Sequence, residues 1–304
     1  MRMNTPASSR VSAERQRQGL ILAVTGAMAF SAKAIIVKLA YRYPGIDAIT
    51  LLMYRMLFAL PFFIGLSWWA GRGQAALSRR DWGIIFLLAF LGYYVASFAD
   101  FLGLQYISAG LERLILYLCP TIVLLMGYCF FKQSIKRAQI MGMVVSYIGV
   151  LVVFAQELQF EGKNVSLGAA LIFLSALSYA MYLVVSGKIV QRIGPMRLAG
   201  WATTIASVLC LAQFVLLRPM AAAAVPQPVL WLSLLNGVLC TVIPVTLTML
   251  AIERVGASAV SQAGMIGPMS TIIMGILILD EPFSISLVIG TLLVLAGVYI
   301  TNRR

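Results

Sequence analysis

Apolar residues in this chain gather into ten long runs, near 19–41, 47–69, 82–106, 110–131, 137–154, 166–188, 198–217, 229–251, 257–279 and 284–301. Short breaks rich in glycine, proline and charge part them, such as Gly71-Arg72-Gly73 and Arg218-Pro219. Each run is about as long as a helix needs to cross a bilayer. The pattern predicts an all-α membrane protein with ten transmembrane helices. Composition agrees: of 304 residues, 61% are hydrophobic and only 11% charged, with mean hydropathy +0.95. A water-soluble domain lacks the polar side chains to cover that much apolar surface. The connections leave no room for a separate soluble catalytic or ATP-binding domain.

Charge gives the runs a direction. Arg2, Arg10, Arg15 and Arg17 precede the first run, which is long enough to be retained as a span rather than cleaved as a leader. With this end in the cytoplasm, only Lys38, Arg42, Arg113, Lys163 and Arg218 fall in outer segments. Lys33 and Arg55 lie inside spans, and the other 16 of the 23 lysines and arginines fall on the cytoplasmic side. That bias predicts both termini inside, as in a bacterial inner membrane protein. Trp68, Trp69, Trp82 and Trp201 sit at predicted inner ends and Trp231 at an outer one, as interface anchors do. The net charge of +13 is spread over many breaks instead of one basic stripe, so nucleic acid is not an expected partner. Cys119, Cys129, Cys210 and Cys240 all lie in apolar runs without metal or disulfide spacing and read as small buried hydrophobes.

The breaks themselves hold a contradiction. "LILDEPFS" (277–284) parts two apolar runs with two acids, while 148 residues earlier "FFKQSIKR" parts two others with bases. At the same offset Ala109 matches Ala257, Pro120 matches Pro268, Met126-Gly127 matches Met274-Gly275, and Gly142 and Gly149 match Gly290 and Gly297. The chain therefore reads as two repeats of five helices. Five is odd, so the second copy enters the membrane from the opposite side, and the two breaks face opposite compartments. The expected organisation is a cytoplasmic segment 1–18, a first repeat 19–154, an outer connection 155–165 and a second repeat 166–304. Inverted repeats of this kind are a recurring plan of secondary transporters, with substrate held near the midplane.

Two stretches carry a family resemblance. "YISAGLERLILYLCPTIVLLMGYCFF" followed by "GMVVSYIGVLVVF", and "ERVGASAVSQAGMIGPMSTIIMGILILDEPFSISLVIGTLLVLAGVYI", resemble the two EamA modules of the drug/metabolite transporter superfamily. Pro268, Asp280-Glu281-Pro282 and the Gly290/Gly297 pair make the second copy the fuller match, and Arg55 resembles a recurring arginine of the first module. The first copy departs from the pattern, with Lys132-Gln133 at the acidic step. The sequence resembles most the YddG-type branch, which implies export of aromatic and other neutral amino acids.

Charges inside spans are costly and therefore informative. Lys33, Arg55 and Asp100 either form an ion pair that locks the first repeat, or attract a substrate carboxylate with Asp100 balancing it or taking a proton. Glu112, near the outer rim, is the second candidate proton carrier. Pro120, Pro244 and Pro268 lie within predicted spans as candidate hinges, as does Pro61, since proline removes a backbone donor. The resemblance implies a cavity near Ser31, Tyr94, Tyr117, Tyr179, Tyr182, Gln262 and Met265. Each of these reads equally as packing. The glycine pairs seven residues apart read as close helix packing.

Without histidine, zinc sites and triads that need it are excluded, and no G-x-x-x-x-G-K-[ST] loop is present for ATP. No cofactor or enzymatic activity is expected. The expected partners are a small-molecule substrate, the lipid bilayer and protons as a candidate co-substrate. Nucleotide-sugar or drug transport and channel-like facilitation stay open, as does the oligomeric state.

Overall fold

Backbone hydrogen bonds explain the architecture, because a chain in lipid must satisfy every polar group within itself, and helices do so locally. A computed structural model describes residues 6–131, 135–160, 164–263, 268–281 and 284–302. Among the described residues it contains helices and no strands. The first crossing, α1, runs over Pro6–Ser31 and, after a break at Ala32, over Lys33–Tyr41. It is followed by α2 (Ala48–Gly71), α3 (Arg79–Gly103) and α4, itself in two pieces, Ala109–Leu116 and Cys119–Phe131. Next come α5 (Arg137–Phe160), α6 (Val165–Ile193) and α7 (Pro195–Leu217).

The stretch Gln227–Ser261 is 35 residues long, more than one crossing needs. It turns at Gly256, whose φ of 81° and ψ of 164° suit glycine and few others. That turn ends α8 (227–255). The ninth crossing, α9, comprises 257–263 and Pro268–Leu279, and α10 is Ile285–Asn302. The expected break between residues 251 and 257 thus contracts to a single non-helical glycine between two helices.

The repeat is visible in local geometry as well as in sequence. Both α3 and α8 open into a wide π turn, at Ala89–Val95 and Val238–Val242, at matching places in the two halves. In α8 the turn frees the Asn236 carbonyl, and the Thr241 hydroxyl donates to it at 2.8 Å. Pro244 follows immediately, where its missing N–H is absorbed by the irregular turn.

Helix pairing proves the inversion. The α1–α8 pair mirrors α3–α6, while α2–α7, α4–α9 and α5–α10 each join a helix to its own counterpart. In the α5–α10 pair a Cβ on Gly149 would lie 2.6 Å from the Gly290 carbonyl oxygen, and one on Gly297 would overlap the Gly142 carbonyl. Seven residues back along α5 is seven residues forward along α10, so these counterparts run antiparallel. Ser146 donates to the Val294 carbonyl at 3.4 Å at their crossing, and these two residues are themselves repeat mates. The glycines allow the backbones to touch, as expected of small residues in lipid.

Glu281 lies at the amino end of α4, where it accepts from the Ala109 N–H at 2.7 Å and the Gly110 N–H at 3.3 Å. The 280–281 break is therefore at the opposite face from the end of α4 that leads into α5. Lys132, Gln133 and Pro282 lie outside the described residues. We call the face where α1 begins the near face, and that of Glu281 the far face.

Candidate functional site

Between the repeats lies a cavity of about 1230 Å³, its open mouth included, walled by α1–α4, α6, α8 and α9. One end is ionic. Lys33 follows directly on the break in α1, which aims it across at α3 and α4. Its Nζ lies 2.5 Å from Asp100 Oδ2 and 3.0 Å from Glu112 Oε1. Arg113 Nε is 3.6 Å from Glu112 Oε2, and Arg113 Nη2 donates to the Ser31 carbonyl at 3.3 Å. That carbonyl, freed by the break in α1, also accepts from the Thr271 hydroxyl at 2.9 Å. Lys33 and Arg113 both lie over the Phe30 ring, at 4.8 and 5.7 Å from its centroid.

All of these charges are buried, and Glu112 is wholly enclosed. Charges taken out of water require partners, yet Asp100 Oδ1, both Glu112 oxygens and Arg113 Nε have no aligned hydrogen-bond partner. The Glu112 contacts to Lys33 and Arg113 are close enough for Coulombic pairing but lack hydrogen-bond alignment. Arg55, also buried, has neutral hydrogen-bond partners among the described residues: Nε donates to Thr241 Oγ1 at 2.7 Å and Nη1 to Ser97 Oγ at 3.3 Å, with the Phe101 ring 5.2 Å away.

The other end is aromatic and neutral. Tyr179 and Tyr182 stack with centroids 5.7 Å apart, Tyr93 meets Tyr182 edge to face at 4.9 Å, and the Tyr93 and Tyr182 hydroxyls bond to each other. Gly92 makes this possible, since any Cβ there would overlap the Tyr182 ring. The two-fold relation exposes the polarity. The mates of Lys33, Arg55, Asp100, Glu112 and Arg113 at the 148-residue offset are Met181, Thr203, Thr248, Val260 and Ser261, all uncharged.

Several sequence expectations move. Lys33, Arg55, Asp100, Tyr117, Tyr179, Tyr182, Pro120 and Pro244 line the cavity. Pro120 sits at the start of the second piece of α4, just past the break at Tyr117 and Leu118, and Pro268 opens the second piece of α9. Tyr94 is off the cavity wall and stacks on Phe90 instead, at 5.6 Å; Tyr93 takes the wall position. Ser31 contributes its carbonyl, while its hydroxyl donates to the Ala27 carbonyl at 2.8 Å. The Gln262 side chain and Met265 lie outside the described residues. Arg113, expected in an outer connection, and Glu112, expected at the rim, are instead inside α4 and belong to the ionic cluster. Asp100 and Glu112 thus share Lys33 between them. Cys129 is exposed, unlike the other three cysteines. Among the described residues no group of histidine, cysteine or acidic side chains could hold a metal.

Comparison with known proteins bears on what this cavity serves. The model of the EamA-like transporter family matches the chain twice, over 17–155 and 166–303. An uncharacterized transporter of Bacillus subtilis, YcbK, is 31% identical over 286 residues, 90% of this chain and 88% of its own length. An uncharacterized transporter of Archaeoglobus fulgidus is 24% identical over 287 residues, covering 94% of this chain and 97% of that protein. A solved structure titled "Crystal structure of protein" shares the fold, with a TM-score of 0.67 at 18% identity, covering 93% of this chain and 96% of that one.

Proposed function

The chain belongs to the EamA-like transporter family, and from that premise we propose that its cavity carries a small metabolite by alternating access, with amino acids of aromatic or neutral side chain and their close relatives as cargo. The observation that supports this reading is the cavity's polarity. Every charge on its wall comes from the first repeat, and the two-fold mates are neutral. A ligand with a charged head and a flat apolar body fits one way round, its head at Lys33, Arg55, Asp100 and Arg113 and its body against Tyr93, Tyr179 and Tyr182. Pockets that combine mostly apolar walls with a few placed polar groups are those that hold small molecules.

In this reading the near face is cytoplasmic, following the bias of lysine and arginine, and transport runs outward. Pro120, Pro244 and Pro268 are the candidate hinges, with the break at Tyr117 and Leu118 beside the first and the π turn at Val238–Val242 beside the second. Asp100 and Glu112, which share Lys33, are the candidate proton carriers.

Purified protein in liposomes tests the proposal with a panel of labelled amino acids, with and without a proton gradient. Unlabelled substrate on the far side should accelerate exchange of label, as a carrier requires. Label movement without such acceleration would mean a channel, and no movement of any panel member would end the amino-acid reading. A rate that ignores the gradient would remove the proton.

A further inference from the structure

The ionic end of the cavity is not electrically balanced. Among the described residues it gathers three cations, Lys33, Arg55 and Arg113, against two carboxylates, Asp100 and Glu112. Asp100 is held by Lys33 at 2.5 Å, and Glu112 lies between Lys33 and Arg113. Glu112 is also fully enclosed and off the cavity wall, so it is not open to a ligand. Arg55 is the remainder. It faces the cavity, keeps its proton at any physiological pH, and has two hydroxyl groups for partners, with no described carboxylate in ion-pair reach. Asp100 acts on Arg55 only from beyond ion-pair distance and is already held by Lys33, and a buried cation without a paired counter-charge is costly in so apolar a setting.

From this we infer that the cavity selects a ligand of net negative charge: a monocarboxylate with a flat apolar body, such as an amino acid deaminated or acylated at nitrogen, in preference to the zwitterion. The inference rests on the cavity being the substrate site and narrows the class of cargo within that reading. A single carboxylate at Arg55 brings the cluster to neutrality. A zwitterion leaves the excess positive charge in place, because its ammonium group cancels what its carboxylate supplies. The one acid on the wall, Asp100, does not solve this. Asp100 already shares Lys33 with Glu112, and an ammonium beside it would stand next to Lys33, like charge against like, where apolar walls weaken screening. A cationic ligand fares worse still.

Three probes share one aromatic body and differ only in head charge: 3-phenylpropanoate, phenylalanine and 2-phenylethylamine. Their binding to the purified full-length protein is measured by calorimetry at neutral pH. The expected order is the anion at least about tenfold tighter than the zwitterion, with the amine weakest. Arg55→Gln should erase the anion's advantage, while Arg55→Lys should keep most of it. Phenylalanine binding as tightly as 3-phenylpropanoate overturns the inference and leaves the substrate site standing, and so does an advantage that survives Arg55→Gln. If none of the three binds, the site itself is lost and the inference with it. The wild-type panel decides without the variants should Arg55→Gln fail to fold.

Discussion

Glu281 closes the amino end of the helix that starts at Ala109: its carboxylate accepts from the Ala109 N–H at 2.7 Å, across 172 residues of chain. Lys38 stands 3.7 Å from the same carboxylate and donates to the Ile107 carbonyl at 2.8 Å, while Arg42 pairs with Asp280 at 3.6 Å and donates to the Leu279 carbonyl at 2.6 Å. These bonds tie α1, α4 and α9 together at the far face, beyond the ionic cluster. The near-face mates of Lys38 and Arg42, Ser186 and Val190, hold no charge. The opposed charges of the two breaks thus serve a contact as well as an address.

Breaking that tie should open the far face. Charge-assisted hydrogen bonds contribute about 1.5–3 kcal/mol, so Glu281→Ala should raise far-face exposure by about tenfold or more. Cys119, on the cavity wall, is the reporter once exposed Cys129 is changed to serine. Its labelling by an impermeant thiol reagent from the far face should accelerate accordingly. An unchanged rate would show that the far face is closed by packing alone.

Lys33 holds two acids, so its loss should be worse than loss of the whole group. Removing one partner of a buried pair costs about 3–5 kcal/mol because the other charge stays buried, whereas neutral replacement of a full set is tolerated. Lys33→Met should lower the unfolding temperature in detergent well below that of the quadruple variant Lys33→Met, Asp100→Asn, Glu112→Gln, Arg113→Met, which removes every member of the paired set. Equal losses would mean that the four do not act as one unit.

The α5–α10 seam predicts a strict size limit. Gly290→Ala places a methyl group 2.6 Å from the Gly149 carbonyl oxygen and against Val153, an overpacking that costs about 1–3 kcal/mol. Gly83, whose Cβ would meet nothing within 4 Å, is the control. Gly83→Ala should leave thermal stability unchanged or raise it slightly.

Asp47 lies outside the spans and gives a pH test. It caps α2 by accepting from the Thr50 N–H at 2.8 Å and pairs with Arg218. Burial pushes its carboxyl up, but the Thr50 bonds and Arg218 outweigh this and hold it below the ordinary carboxylate value. A depressed pKa stabilises the fold above the unfolded-state value and loses that contribution as pH falls through the folded one. Asp47→Ala should therefore cost about 1 kcal/mol near neutrality. The difference from wild type should shrink in acid, below about pH 4. A difference that is constant with pH would assign the loss to something other than the carboxylate.

Much of this was legible from residues alone. Span number, the inverted repeat and the glycine seam follow from hydrophobic run length and a 148-residue offset. Glu112 and Arg113 were not, because a charge close to the start of an apolar run looks like a rim residue. Only the contact with Lys33, 79 residues earlier, shows that α4 begins deep. The exchange of Tyr94 for Tyr93 has a local cause. Both lie in the π turn at Ala89–Val95, where the extra residue shifts the helical register, so a 3.6-residue period picks the wrong ring. Nor does any sequence period announce that α1 breaks at Ala32 while α6 does not.

That last difference sets the energetics of the whole machine. Two identical halves would give opposite postures of equal free energy, and only an external gradient could choose between them. Here one first helix is jointed, with its loose carbonyl clasped by Thr271 and Arg113, and its mate is an unbroken rod. Under the proposed alternating access, the two postures of the empty protein then differ in free energy before any solute or voltage acts on it.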